Sequence, residues 1–435
     1  MKLLSKPNLA ILGGNKVIGI NQGAHFNWPK ITDEIEELVI DQLHASISIY
    51  DRSSIFEAFE CEFARLHNRK YALLTNSGTS AIHSMFDALN ISPGDEVVCP
   101  VYTFHATISP LISLGGVPIF ADVDPYGSMS LEDLVKKVGP RTRAVIVTHM
   151  WGYPCRDIEK IALFCKERDL YLLEDCSHAH GARTNTGRIV GSFGDAAAWS
   201  LQGQKTITGG EGGIVLSDRR SIYNQALLLG HYNKRPKQEI DVSDPLYKFY
   251  LTGKGQKLRA HPLAIKIAYH QLGILPTILQ GRDSNAQRFR QLISEIEFLS
   301  DIMQDGSSPS WYAFGMLFDE SKSNGVTRFE FCEMLHHEGL SEVDIPGSTG
   351  LLNELPLFTE PNELFPTLFG GKLPRQRDFK NALSFKDRFI KMPVWAFTDE
   401  AEIVEKYLIG FEKVCRAILE DRNFGQNLRN WRKET

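Results

Sequence analysis

Cysteine is sparse in this sequence: seven residues in 435, with no Cys-x-x-Cys pair among them. An odd, unpatterned set fits a reducing cytoplasm and argues against a disulfide framework and a structural zinc site. No metal is expected. Cys99 and Cys176 stand in apolar strand contexts and read as packing residues. Long apolar runs are missing too, so no membrane span is expected. The opening Met-Lys-Leu-Leu-Ser-Lys-Pro has a short apolar tract broken by Lys6 and Pro7, which argues against a secretory signal. There is no basic block, and the formal net charge is -5, so nucleic acid is not an expected partner. No internal repeat is found.

What is present is a soluble globular composition, 43% hydrophobic and 23% charged. The length allows two domains and a sizeable core. The chain is organised around Ser200-Leu-Gln-Gly-Gln-Lys205-Thr-Ile-Thr-Gly-Gly-Glu-Gly-Gly213. A lysine becomes a nucleophile toward carbonyls once burial strips its proton. The glycines 209, 210, 212 and 213 let the backbone turn sharply and approach another group closely. Gly213-Ile-Val-Leu216 then reads as a strand. A lysine between two strands at a tight turn suits a Schiff base with an aldehyde cofactor; a surface hairpin with a solvated lysine fits the local pattern equally well.

Along the chain, residues 1–30 read as an irregular arm. Helices follow from Thr32, a candidate cap with Ile35, Leu38, Val39 and Leu43 on one face, and from Ser54, with Phe56, Phe59 and Phe63 inward. In Lys70-Tyr-Ala-Leu-Leu-Thr-Asn76-Ser-Gly-Thr79 a short apolar strand runs into Ser-Gly-Thr and a helix. The first amides of a helix attract phosphate, and Gly78 permits close approach; a plain Ser/Thr cap is the alternative. Further apolar strands end at Pro100, Asp122, His149 and Asp175, with helices between them. Such strands imply a mostly parallel sheet covered on both faces, with functional residues at its carboxyl ends. Asp175 either pairs with a protonated pyridine nitrogen or caps a helix. Phe104 either stacks on a flat ring or packs in the core. His178 either touches a ring hydroxyl or sits satisfied near a turn.

After Asp218 the pattern is a helix over 219–231, an irregular polar segment over 232–257, and helices over Pro262–Ile274 and Leu279–Ile296. A strand is expected in 311–318, a helix over Thr327–His337, a short strand over Leu340–Ile345 and a loop over 346–376. The stretch 385–397 holds a strand ending at Pro393-Val-Trp395. Thr398 is the expected cap of a last amphipathic helix over 399–417. The polar tail after Asp421 is expected to be loosely held. The division is an arm (1–30), a large domain (31–275) and a smaller C-terminal α+β domain (276–435).

Taken together, Asn76-Ser-Gly-Thr79, Pro100-Val-Tyr-Thr-Phe104, Gly116 to Asp124, Glu174-Asp175-Cys-Ser-His178-Ala-His-Gly181, Gly191-Ser-Phe-Gly-Asp195 and the Ser200–Gly213 stretch carry a resemblance. Over roughly residues 30–420 the chain resembles the DegT/DnrJ/EryC1/StrS family of sugar aminotransferases that depend on pyridoxal 5'-phosphate (PLP). The resemblance implies the α/β architecture of PLP fold type I, the aspartate aminotransferase type. It implies a reaction moving an amino group from glutamine or glutamate to a keto sugar or keto cyclitol, ping-pong through pyridoxamine phosphate, in a homodimer with shared active sites. Lys205 is then the catalytic lysine and covalent anchor, and Asp175 the partner of the pyridine nitrogen. Gly78, Thr79 and Ser200 hold the phosphate, Phe104 stacks on the ring, and His178 lies near its hydroxyl.

Two stretches depart from the family's pattern. Where many members have an Asn-Tyr pair reaching the partner subunit's phosphate, this chain has Gly255-Gln-Lys257-Leu-Arg259. Lys257 is the expected phosphate contact there, with Arg259 the second candidate and a solvated basic turn the alternative. Where members often carry a His-containing loop, this chain has Ile345-Pro-Gly-Ser-Thr-Gly350. Other readings are a dehydratase or aromatising synthase of the same family, in which Lys205 argues against the dehydratase branch, and a non-catalytic PLP-binding regulator.

Overall fold

A computed structural model of the chain describes residues 8–19 and 25–434. The expected arm falls partly outside the described residues, at 1–7 and 20–24. Among the described residues eight strands lie in the first half: β1 (Tyr71–Thr75), β2 (Glu96–Pro100), β3 (Tyr102–Thr103), β4 (Val117–Ala121), β5 (Thr142–Thr148), β6 (Tyr171–Asp175), β7 (Ala196–Ser200) and β8 (Gly213–Ser217). Seven of them, all but β3, form one sheet in the order β1-β8-β7-β6-β5-β2-β4. The pairs β4/β2, β2/β5, β5/β6 and β6/β7 are parallel, and β8 is antiparallel to both β7 and β1. The carboxyl ends of β1, β5, β6 and β7 therefore share one edge.

The apolar runs explain this sheet. Val145, Ile146 and Val147 of β5 and Leu172 and Leu173 of β6 are buried, because helices cover both faces. One cover is α2 (Ser54–Leu66), whose Phe56, Phe59 and Phe63 form the expected buried stripe. Each contributes about 1.5–3 kcal/mol by leaving water. The helix α1 (Asp33–Ala45) starts as expected, with the Thr32 hydroxyl accepting from the Ile35 amide. Its expected inner face is not fully covered: Leu43 is exposed and Gln42 is buried instead.

A second, three-stranded antiparallel sheet has the order β12-β10-β9, from β9 (Leu299–Asp301), β10 (Phe314–Phe318) and β12 (Phe389–Met392). The helix Leu275–Ser294 leads toward it, and Arg328–His337 packs nearby through Phe331, beside Phe298 and Phe318. A reciprocal Thr327–Glu330 capping box starts that helix. A two-stranded pair, β3 with β11 (Gly350–Leu351), joins the two halves of the chain.

Several expectations are corrected. Leu340–Ile345 is no strand; it makes only an isolated bridge, Asp344 to Lys391. The strand expected to reach Trp395 stops at Met392, because Pro393 lacks a ladder donor. Thr398 does not cap the last long helix. Glu400 reaches back to the amides of Ala396 and Phe397, both at 2.8 Å, and a short 3-10 turn precedes the helix Ala401–Glu420. The segment 232–257 contains a helix, Lys234–Glu239, because buried Arg235 pairs with Glu60 at 2.7 Å and Glu239 at 2.6 Å. The tail is also a helix, Phe424–Glu434, with Phe424 and Leu428 fully buried. Among the described residues no helix is long and apolar enough to cross a membrane.

Candidate active site

The shared carboxyl edge opens into a cavity of about 510 Å³. Gly78, Thr79, Phe104, Asp175, His178, Ser200 and Lys205, all singled out from sequence, line it. Lys257 does not; it is exposed, on the segment before the helix Pro262–Gly273. Arg259 is also outside the cavity, half-buried, donating to the Ile49 carbonyl at 3.3 Å and lying over the Tyr50 ring.

One end of the cavity is built by α3 (Gly78–Ala88). The Ser77 hydroxyl accepts from the Ser80 amide at 3.0 Å and fixes the helix start. A Cβ at Gly78 would stand 2.6 Å from the Ser200 Cβ. A Cβ at Gly213 would stand 2.3 Å from the Ser77 carbonyl oxygen. The two glycines thus press the helix start against the strands that flank Lys205, which leaves free amides and the Ser200 hydroxyl facing one space.

Asp175 ends β6 almost fully buried. Its oxygens accept from the Thr107 hydroxyl at 2.7 Å and the Ser177 amide at 3.0 Å. Thr107 is itself bonded to Thr103 at 2.9 Å, and Thr103 to Thr148 at 3.0 Å, so a chain of buried hydroxyls steadies the carboxylate. Lys205 hangs from the β7–β8 connection, its amine 4.7 Å from the centre of the Tyr312 ring. Burial lowers the Lys205 pKa to about 8, against the pull of Asp175, which acts to raise it. A sizeable neutral fraction of this amine is therefore present near pH 8.

His178 stacks on Tyr312, with ring centres 4.0 Å apart, and accepts from the Trp151 amide through Nδ1 at 3.3 Å. Burial, with Lys205, His180 and Lys391 nearby, pushes its pKa well below the usual value, so the ring is neutral. Phe104 stands exposed at the cavity wall, its ring against His105. An aromatic this open is not packed in the core.

Sequence reasoning missed the residues that reach this site from elsewhere in the chain. Trp28 donates through Nε1 to the Lys205 carbonyl at 2.7 Å. The Arg282 guanidinium lies 4.7 Å from the Trp28 ring and donates to the Thr206 hydroxyl at 2.9 Å. Arg282 is fully buried, with no carboxylate at hydrogen-bond distance among the described residues, and burial lowers its pKa to about 10. Tyr312, Asp344 and Lys391 line the cavity from the second half of the chain. Their single positions carry no local pattern, and Arg282 is one of three arginines in the stretch 279–296, with nothing in the sequence to set it apart.

With this geometry in hand, the comparisons with known proteins are specific. The model of the DegT/DnrJ/EryC1/StrS aminotransferase family matches residues 29–406. The chain belongs to that family, which makes it an enzyme of the sugar aminotransferase group. GDP-perosamine synthase of Vibrio cholerae is 31% identical over 273 residues, covering 62% of this chain and 71% of that one. The solved aminotransferase of Psychrobacter cryohalolentis has a TM-score of 0.78 at 24% identity, covering 90% of this chain and 99% of that one. The solved GDP-4-keto-6-deoxy-D-mannose-3-dehydratase of E. coli, with bound hydrated PLP, has a TM-score of 0.73 at 22% identity, covering 88% and 97%. The fold is that of solved aminotransferases, the α/β type that the sequence implied.

Proposed function

We propose that the protein is a PLP-dependent aminotransferase that moves an amino group from glutamine or glutamate to a keto sugar or keto cyclitol. The observation that carries this is one cavity lined by the Lys205 amine, the Asp175 carboxylate, the Ser200 hydroxyl and the start of α3. These residues fit PLP. The close approach of Gly78 to Ser200 leaves a cradle that a Cβ would fill, with amides and a hydroxyl suited to a phosphate. Asp175 makes no ion pair within 4 Å among the described residues, which suits a cationic ring nitrogen. PLP supplies an aldehyde to receive the amino group and a ring that draws electrons from the donor carbon.

The chain's own residues do the rest. Gly78, Thr79 and Ser200 would hold the phosphate. Asp175, fixed by Thr107 and Ser177, would keep the ring nitrogen protonated. Phe104 would cover the ring and exclude water. Neutral His178, already an acceptor at Nδ1, would have its Nε2 proton to offer the ring hydroxyl. Lys205 anchors the aldehyde at rest. Its amine, buried and with its pKa lowered to about 8, would serve as the base that takes and returns the donor's α-proton. Two such half-reactions in sequence give ping-pong kinetics.

The homodimer with shared sites belongs to the same reading. Ile40, Leu43, Ile47 and Leu251 are exposed apolar side chains that a second copy would cover, and exposed Lys257 is free to reach a partner's phosphate. Cytoplasmic placement belongs to it too, supported by seven free thiols, six of them buried. The test is borohydride reduction of the yellow holoenzyme followed by peptide mapping. Label on Lys205, and loss of the visible band with glutamine or glutamate, are expected. An unlabelled Lys205 overturns the reading. A screen of keto acceptors then separates amination from dehydration.

A further inference from the structure

We propose that Lys391, with Asp344 as its resting counter-ion, forms a subsite for an oxyanion carried by the substrate; this rests on the transamination reading above. Every amino-acid donor brings a carboxylate into the cavity, and a nucleotide-linked keto sugar would bring a diphosphate as well. An anion entering a confined space needs a cation there. Among the described residues, two cations line the cavity, Lys205 and Lys391, against the carboxylates of Asp175, Glu211 and Asp344. Lys205 is committed to the chemistry. Lys391 is left.

Its placement supports this. Lys391 sits on β12 between Ile390 and Met392, which are buried on the opposite side of the strand. Its side chain emerges toward the cavity, 5.8 Å from the centre of the Trp151 ring. Trp151 stacks on His178, and both lysines act electrostatically on that histidine, so the cations flank one aromatic group. Lys391 Nζ lies 2.8 Å from Asp344 Oδ2, with the two side chains 24% and 52% exposed. A pair this open to water holds a fold together weakly.

It is also not needed for that purpose. The backbones of Asp344 and Lys391 already exchange two hydrogen bonds, at 2.7 and 2.9 Å. The ammonium can leave the Asp344 carboxylate for an incoming oxyanion without loosening this junction. The adjoining Pro346-Gly-Ser-Thr349 lines the same cavity. The exposed Ser348 hydroxyl is a neutral donor on the same cavity wall.

The experiment compares holoenzymes of the wild type, Lys391→Met, Lys391→Arg and Asp344→Asn. L-glutamate and L-glutamine are titrated against loss of the visible band. GDP, dTDP and inorganic pyrophosphate are titrated by calorimetry. Lys391→Met is expected to weaken at least one of these probes about tenfold or more, and Lys391→Arg to restore most of it. Asp344→Asn is expected to tighten the same probe, because it removes the competing carboxylate. A shift confined to the amino acids assigns the subsite to the donor carboxylate; one confined to the nucleotides and pyrophosphate assigns it to a diphosphate. The proposal falls if Lys391→Met leaves every probe within twofold of wild type. It also falls if Lys391→Met and Asp344→Asn change affinity in the same direction, the mark of a structural brace. A wild-type enzyme whose visible band ignores both amino acids overturns the transamination reading, and the calorimetric arm then decides Lys391 on its own.

Discussion

Glu174 and Asp175 are neighbours on β6, both buried, and they face opposite sides of the sheet. Glu174 is saturated. It accepts from the amides of Gly191, Phe193 and Gly194 at 2.7–2.8 Å and from His149 Nε2 at 3.1 Å. Burial alone would raise its pKa. The His149 bond, the Gly194 amide and Arg69 outweigh it, and the carboxyl ends below its usual value. His149 and Cys176 bring ligand-type atoms within 4.8 Å of it, but its oxygens are already taken. Asp175 accepts from one hydroxyl and one amide and turns its remaining capacity to the cavity. A buried carboxylate with every lone pair used is a fastener. One with capacity left over, beside a lysine of lowered pKa, is a tool.

Substitutions along this strand and its partner lysine are expected to separate the two. The largest effect belongs to Lys205→Met. It should abolish the borohydride-fixable cofactor and slow transamination at least about ten-thousandfold. The same change should stabilise the cofactor-free protein at pH 7 by about 3 kcal/mol, read from urea unfolding. That figure follows from a folded-state pKa of about 8 against 10.5. Here the folded pKa is depressed, so the folded chain binds fewer protons between about 8 and 10.5. The wild-type penalty is fully present below pH 8 and disappears as pH rises through that window. For the same reason, capture of PLP by the cofactor-free protein should accelerate as pH rises through about 8.

Glu174→Gln should come next, costing about 3–5 kcal/mol of stability, since it leaves His149 and the three amides without their charge. Activity per folded molecule should stay within a few-fold. The wild-type contribution of Glu174 is present above the ordinary carboxyl range and is lost as pH falls through its lowered folded pKa. Acid unfolding should therefore begin at higher pH in the variant. Asp175→Asn should do the reverse: stability within about 1 kcal/mol, but turnover down about a hundredfold or more. Thr107→Val, which removes one bond to Asp175, should cost only about tenfold in turnover, roughly 1.4 kcal/mol. If Glu174→Gln and Asp175→Asn prove alike in both assays, the distinction between fastener and tool is wrong.

Much of the site was readable because its parts are local. A strand of apolar residues that ends in a hydroxyl, a glycine or a carboxylate marks its own carboxyl end, and a parallel sheet gathers such ends along one edge. That is why Gly78, Asp175, Ser200 and Lys205 were named from pattern and meet in the cavity. The same logic failed where the partner is distant in sequence. Nothing near Arg235 announces Glu60, 175 residues away, and the segment 232–257 therefore read as irregular. The tail read as loose because it is polar, although Phe424, Leu428 and Trp431 repeat at helical spacing and two of them are fully buried.

The sequence by itself determined the alternation of apolar strands and helices, the close approach that only glycine allows at Gly78 and Gly213, and the order of the pieces around Lys205. These depend on backbone sterics and on contacts within a few residues. Tertiary structure alone decided that Trp28, Arg282, Tyr312 and Lys391 surround that lysine. Their roles come from desolvation and from charge at short range, and both exist only after distant segments of the chain have packed around one cavity.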